Sequence, residues 1–175
     1  MSYDRRPGEA PEAYLQRRIM HEVPAGISVL DVGAGLARYH ETLVAKAEEV
    51  TLLDAHAKLL LGEALHVLRA LDDECVDVVL AIDFLEHLEM PEAVQVVHEM
   101  RRVARSAVVV FVPEGLHPQD KDYYEMGGDK WQTHRSTWWR IDLEMLMHAE
   151  AESWPDFHAG TPGKDAGALW CVWER

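Results

Sequence analysis

The chain has 175 residues, a length that suits one domain built around one hydrophobic core. Its 17 basic residues stand against 31 acidic ones, and the resulting net charge of -14 would repel nucleic-acid phosphates. No apolar run approaches the roughly 18 residues of a membrane span, and the N-terminus lacks the apolar stretch of a signal peptide. We therefore expect a single cytoplasmic domain over 1–175, with a small-molecule partner, no nucleic-acid partner, and a homodimer as one option.

Helices and strands are predicted to alternate along the chain. In chain order we expect a helix at 11–22 within an N-terminal extension (1–26), a strand at 27–32, a helix at 37–49, a strand at 50–54, a strand at 75–82, a helix at 91–102, a strand at 107–112, a helix at 138–149, and strands at 151–158 and 167–173. Residues 56–71 fit either a helix or a short helix plus a strand near Leu65–Leu68. The polar, aromatic segment 113–135 reads as a lid. This alternation favours an α/β fold with a mostly parallel sheet.

The loop after the first predicted strand is the most informative stretch of the chain. Its sequence, VLDVGAGLAR, runs from Val29 to Arg38. Gly33 and Gly35 allow the backbone to pass close to a ligand, and the helix that follows would offer free N–H groups to an anion. A dinucleotide fingerprint would need a third glycine where Arg38 stands, which disfavours a nicotinamide cofactor. A tight strand–helix turn without a ligand is the structural alternative.

An acidic residue ends the second predicted strand. Asp54 lies nineteen residues after Gly35. A carboxylate at that place can bind both hydroxyls of a ribose. A turn or helix-capping aspartate is the alternative.

The Asp-x-Gly-x-Gly loop, Asp54 and the block Ala81–Leu88 resemble, in order and spacing, the motifs of class I S-adenosylmethionine (SAM)-dependent methyltransferases. The resemblance covers residues 28–112 and implies a three-layer Rossmann-like fold with a seven-stranded sheet. The implied strand order is 3-2-1-4-5-7-6 with the last strand antiparallel, and the region between strands 2 and 4 is shortened. Gly62-Glu63-Ala64 resembles the family's segment near the adenine. The implied SAM-binding residues are Asp31, Gly33, Ala34, Gly35, Asp54, Ala55, Glu63, Ala64, Asp83 and Phe84.

Three residues are candidate catalytic residues, which would act on the group that accepts the methyl. Asp83 follows a buried strand at the edge of the sheet where ligands bind in open α/β folds. His117 and His134 lie in the lid segment, and either imidazole would take a proton from the acceptor. Loop histidines without a role are the alternative.

The block Asp83-x-x-Glu86-His87 also resembles a metal-binding block of small-RNA 2′-O-methyltransferases and of some quinone-biosynthesis O-methyltransferases. The resemblance implies a divalent ion, magnesium or manganese, with His134 as a fourth ligand. Such an ion would bind two substrate oxygens and lower the pKa of an alcohol. Alternatively, Glu86 caps a helix and His87 packs beside it.

Three functions compete. The resemblance implies methyl transfer to an oxygen or nitrogen of a metabolite or a cell-surface sugar, as in small bacterial methyltransferases. A catalytically inactive SAM-binding partner subunit is the second, because the compressed region 56–71 would weaken adenine recognition. A nicotinamide-dependent oxidoreductase is the third, and Arg38 counts against it.

Overall fold

A six-stranded sheet with helices on both faces forms the frame of the molecule. The computed structural model describes residues 5–6, 8–35, 37–54, 63–122, 128–158, 165 and 167–175. The helices are α1 (Pro11–Glu22), α2 (His40–Val44), α3 (Ala64–Ala70), α4 (Met90–Val103), α5 (Asp129–Gln132) and α6 (Arg140–Met147). The strands are β1 (Ser28–Val32), β2 (Glu49–Leu53), β3 (Val76–Ile82), β4 (Ala104–Pro113), β5 (Ala151–Trp154) and β6 (Ala168–Glu174).

The strand order is β2-β1-β3-β4-β6-β5. The first four strands are parallel neighbours, and β6 runs antiparallel to both β4 and β5. This is the predicted order without its outermost strand, so the prediction of seven strands is wrong for the described residues. The antiparallel last strand is confirmed.

The central strands are buried on both faces because helices cover each side of the sheet. Successive residues of a strand point to opposite faces. Val79 and Ala81 accordingly pack in a core with α4, whereas Val78 and Leu80 pack in a second core with α1. The predicted three-layer α/β fold is therefore confirmed.

The first helix after the glycine loop is shorter than predicted. We expected it at 37–49, but α2 has only five residues and begins at His40. Ala37 has a positive φ of 57°, a left-handed conformation that an α-helix does not accommodate. The chain then enters β2 at Glu49. Leu43 is buried, whereas Val44 is 50% exposed.

The segment near Leu65–Leu68 is helical, so the strand considered there is wrong. Leu68 is fully buried, and Leu65 packs against the same core, which contains Val96 and Val97 of α4. Apolar residues three apart lie on one face of a helix, whereas a strand would put them on opposite faces. Residues 55–62, where the rest of the predicted element falls, lie outside the described part of the chain.

The lid segment is partly structured. β4 extends to Pro113, and α5 lies near the C-terminal end of the lid segment. α6 begins at Arg140, two residues later than predicted. Ser136 lies before α6, and its hydroxyl donates to the carbonyl of Leu85 at 3.1 Å. Within the described ranges, no helix has the length and apolar character needed to cross a bilayer.

Candidate active site

A cavity of about 810 Å³ lies at the carboxyl edge of the parallel strands. This is the edge where ligands bind in open α/β sheets, and the volume falls within the range of small-molecule sites. Asp31, Asp54 and Asp83, which lie at or just beyond the ends of three neighbouring strands, all line it. The parallel topology thus brings together carboxylates that are 23 and 29 residues apart in the sequence.

The glycine loop turns sharply above β1. Gly33 and Gly35 have positive φ angles of 76° and 53°. The N–H groups of Gly33 and Ala34 donate to the carbonyl of Leu53, at 2.7 and 3.2 Å. A Cβ on Gly33 would lie only 2.3 Å from Cδ2 of Phe84. The close packing of the Phe84 ring on the loop therefore requires glycine at this position.

Asp54 is tied to the same loop. The N–H of Gly35 donates to Oδ2 of Asp54 at 3.0 Å. This bond orients the carboxylate at the cavity wall. A carboxylate offers about four lone-pair sites, so the bond is compatible with further hydrogen bonds to the hydroxyls of a ribose.

Asp31 is the most deeply buried acid of the glycine-loop region, with 2% exposure. Its Oδ2 has no hydrogen-bond partner. Burial, with a smaller contribution from the charge of Asp54, raises the pKa of Asp31 to about 7. A buried carboxyl with an orphaned oxygen in a cavity wall fits a ligand that brings a cation or a donor.

Asp83 occupies a strained position directly after β3. Its φ is 50°, a left-handed conformation that costs a non-glycine residue about 1 kcal/mol or more. The backbone N–H donates to the carbonyl of Phe111 at 2.9 Å, while Oδ1 has no hydrogen-bond partner. Burial raises the pKa of Asp83 to about 6, with Arg38 opposing and Glu12 adding to that rise.

Most of the other residues expected at the cofactor line the cavity. Glu63 and Ala64, at the start of α3, line the cavity, as do Ala34 and Phe84. Ala55 and Gly62 lie outside the described residues. The positions of the described residues agree with the expectation, although their roles stay predictions.

A carboxylate and two imidazoles converge beside the cavity. Ligand atoms of Glu86, His87 and His134 all lie within 4.8 Å of one another. Oε2 of Glu86 and Nδ1 of His87 are buried without a hydrogen-bond partner. Asp83 is not part of this group, so the expected set of four ligands is reduced to three. The donor set nevertheless fits a divalent ion.

Backbone contacts fix this cluster. The N–H groups of Arg135 and Ser136 donate to the carbonyl of Glu86, at 2.7 and 3.2 Å. The guanidinium of Arg135 donates to the carbonyl of His87 at 2.7 Å. The segment that carries His134 is therefore fastened to the turn that carries Glu86 and His87.

A row of histidines lines one part of the cavity. The ring of His134 lies 4.9 Å from that of His87 and 5.7 Å from that of His117, between centroids. The ring of His158 lies 4.5 Å from that of His117. Nδ1 of His134 is also 2.6 Å from the carbonyl oxygen of His117. The structure thus brings both predicted base candidates together.

Sequence reasoning missed several cavity residues. The cavity is also lined by Glu12 of α1, Tyr39, Phe157 and His158. Arg38 lines it too, although in the sequence this residue only argued against a dinucleotide. Burial raises the pKa of Tyr39 to about 12. No sequence signal places α1 or the β5–β6 connection at this edge, since only the packing of the layers brings them there. Of the aromatic residues in and just after the lid segment, Trp131 lines the cavity and Trp138 is buried in the core, while Tyr123 and Tyr124 lie outside the described residues.

Comparisons with known proteins agree with this geometry. Residues 30–112 match the family described as "Methyltransferase domain". A SAM-dependent methyltransferase from Archaeoglobus fulgidus superposes with a TM-score of 0.68 at 14% identity, over 92% of this chain and 91% of that one. The 1,6-didemethyltoxoflavin-N1-methyltransferase of Burkholderia thailandensis was solved with bound 1,6-didemethyltoxoflavin and S-adenosylhomocysteine. It superposes with a TM-score of 0.64 at 16% identity, over 96% of this chain and 79% of that one. A Haloferax volcanii putative methyltransferase was solved in complex with the Trm112 methyltransferase activator. It superposes with a TM-score of 0.62 at 14% identity, over 89% of this chain and 86% of that one. None of the curated proteins matches the chain.

The fold is the Rossmann-like fold of SAM-dependent methyltransferases, as the sequence motifs predicted. The match to a methyltransferase domain covers residues 30–112, just under half of the chain.

Proposed function

We propose that this protein transfers the methyl group of SAM to an oxygen or nitrogen of a small molecule, either a metabolite or a cell-surface sugar. The observation that carries the proposal is the 3.0 Å bond from Gly35 to Asp54 at the mouth of a cavity that also contains Asp31 and Asp83. This arrangement supports a ligand with a ribose at one end and a cationic group at the other. The strong negative charge of the chain favours a small acceptor over a nucleic acid.

Each cofactor-binding residue has a distinct proposed role. Asp54 accepts hydrogen bonds from the ribose hydroxyls, and the loop Gly33–Gly35 supports the rest of the ligand. Asp31 orients that loop or accepts the ammonium through water. Glu63 and Ala64 border the adenine.

SAM supplies a sulfonium-bound methyl group that is already activated for displacement. The residues of the chain therefore act mainly by positioning the acceptor and excluding water. His117 accepts the proton that a hydroxyl or ammonium acceptor loses. His134 is a second candidate base when it binds no metal ion.

The proposal is tested by calorimetric titration with S-adenosylhomocysteine. We expect Asp54→Ala to weaken binding at least tenfold, about 1.4 kcal/mol, because the ribose hydroxyls lose the carboxylate that accepts their hydrogen bonds. Asp72→Ala, which removes an exposed acid outside the cavity, is the matched control and should bind like the wild type. Absence of binding to the wild type would overturn the cofactor assignment.

An inactive SAM-binding partner subunit is the competing function. Retained S-adenosylhomocysteine binding without methyl transfer to a broad panel of hydroxyl and amine acceptors would favour it. Because the Haloferax neighbour was solved with an activator protein, the panel should include reactions in cell extract.

We further propose that Glu86, His87 and His134 hold a divalent ion. Two imidazoles and one carboxylate suit manganese or zinc better than magnesium, which prefers oxygen ligands. Such an ion would bind an acceptor oxygen and lower the pKa of an alcohol.

Elemental analysis after incubation with manganese, zinc or magnesium and desalting tests the metal proposal. We expect about one manganese or zinc ion per wild-type chain and a large loss in His134→Ala, because the variant lacks one ligand. His98→Ala, which changes an exposed histidine outside the cavity, should retain the ion. An ion-free wild type would contradict the proposal.

A further inference from the structure

The short segment between β4 and His117 is held by hydrogen bonds from two other parts of the chain. The N–H of Glu114 donates to the carbonyl of Gly167 at 2.9 Å, just before β6. The N–H of Gly115 donates to the carbonyl of Trp138 at 2.8 Å. Both acceptors are backbone groups, which every residue type supplies.

The next N–H group of this segment is held by a side chain instead. The N–H of Leu116 donates to Oδ2 of Asp165 at 2.6 Å, and the N–H of Asp165 donates back to the carbonyl of Leu116 at 2.9 Å. The side chain of Leu116 is 58% exposed, so burial contributes little to fixing this residue. A hydrogen bond to a carboxylate is stronger than one between neutral groups. Asp165 therefore anchors the residue directly before His117.

Gly115 permits the close approach of this carboxylate. Its φ is 80°, and a Cβ added there would collide with Oδ2 of Asp165. A residue with a side chain at this position would displace either the carboxylate or the backbone of the segment. Gly115 and Asp165 thus fit each other, although they lie in different connections of the chain.

His117 is held on both sides of its own backbone. Before it, Leu116 is bound by Asp165, which belongs to the connection between β5 and β6. After it, the carbonyl oxygen of His117 lies 2.6 Å from Nδ1 of His134. The connection that carries Asp165 also carries His158, whose ring lies 4.5 Å from that of His117. The position of the His117 ring therefore depends on how this connection contacts the segment after β4.

We propose that Asp165 is a positioning residue for His117, because its bond to the N–H of Leu116 holds the imidazole in the cavity wall beside His158. The inference rests on the proposed function, in which His117 accepts the proton of the methyl acceptor. It adds to that function a residue that does not itself line the cavity. A base must lie within hydrogen-bond reach of the proton that it takes, so a small shift of this segment would slow the reaction.

Nuclear Overhauser effects (NOEs) between histidine ring protons test the inference on the full-length, ligand-free protein. We expect an NOE between the rings of His117 and His158 in the wild type, since their centroids lie 4.5 Å apart. Asp165→Ala should weaken it at least threefold, because the segment loses its side-chain anchor. Asp165→Asn should recover most of the signal, since its amide oxygen still accepts the N–H of Leu116.

Two controls separate positioning from a general loss of structure. The NOE between the rings of His87 and His134, whose centroids lie 4.9 Å apart, should persist in Asp165→Ala. Asp156→Ala removes an exposed acid from the same connection and should leave both NOEs as in the wild type. The affinity of Asp165→Ala for S-adenosylhomocysteine should stay within twofold of the wild type, because the proposed cofactor residues lie in other segments.

Hydrogen exchange in the wild type gives a second measurement that needs no variant. The amide of Leu116 should exchange at least tenfold more slowly than in an unstructured peptide, although the side chain is exposed. An unprotected Leu116 amide, an unchanged NOE between His117 and His158 in Asp165→Ala, or equal loss of both NOEs would overturn the inference. A wild type that does not bind S-adenosylhomocysteine would instead overturn the proposed function, and the NOEs would still report whether Asp165 positions His117.

Discussion

At Asp31, burial and the neighbouring charge of Asp54 raise the pKa to about 7. The unfolded chain has the ordinary value of about 3.9, so the folded protein binds more protons between those two values. The free energy of unfolding of the ligand-free protein therefore falls as the pH rises from about 4 to 7. Such a cost at neutral pH is typical of a residue retained for a ligand.

Replacing this acid tests that cost. We expect the free energy of unfolding of Asp31→Asn to depend less on pH than that of the wild type. The variant should therefore gain more stability over the wild type at pH 8 than at pH 4.5. The upper limit of the difference is about 4 kcal/mol. Urea unfolding at several pH values measures it, with Asp72→Asn as an exposed control. Parallel stability curves for Asp31→Asn and wild type would contradict the assignment.

Gly33 shows that a sequence motif can identify a residue correctly and still miss one of the reasons why that residue is needed. Gly33 belongs to the predicted loop, and its φ of 76° favours glycine. However, the space that a side chain of Gly33 would need is occupied by Phe84, which belongs to a different segment. A spacing pattern cannot reveal that contact, because nothing local to either segment specifies it.

At the scale of elements, this contact couples the loop after β1 to the turn after β3. Gly33→Ala would place a methyl group 2.3 Å from Phe84 at a positive φ. We expect a loss of about 1–3 kcal/mol of unfolding free energy, measured by urea denaturation.

Gly26→Ala is the matched control for that substitution. Gly26 has a similar φ of 74°, but an added Cβ would meet no atom within 4 Å. It should show only the backbone cost, and the difference between the two variants should shrink in a Phe84→Ala background. Equal losses at both glycines would show that Phe84 does not constrain the loop.

The helices differ in how far their sequences predicted them. α1 lies at the predicted residues, because Pro11 suits a first turn and its apolar positions recur at helical spacing. α2 was predicted too long, since no propensity rule anticipates a left-handed alanine at Ala37. The ambiguity at Leu65–Leu68 was decided by packing against α4, which is a tertiary contact.

At the scale of the whole molecule, the strand order creates the site. Placing β1 between β2 and β3 brings Asp31, Asp54 and Asp83 to one cavity. The antiparallel insertion of β6 between β4 and β5 accompanies the approach of His158 to His117. The predicted loop and acids therefore lie together, whereas the last histidine of the row had no sequence signal.

The sequence by itself determined the α/β class, the central strands, the glycine loop and the acids at the strand ends. These features are local, since they depend on apolar runs, glycines and short spacings that any chain segment carries alone. The tertiary structure alone decided the contact of Gly33 with Phe84, the grouping of Glu86 and His87 with His134 without Asp83, and the facing of Arg38 toward the cavity. Each of those depends on which layers pack together, and the energy of packing is shared among residues distant in the chain.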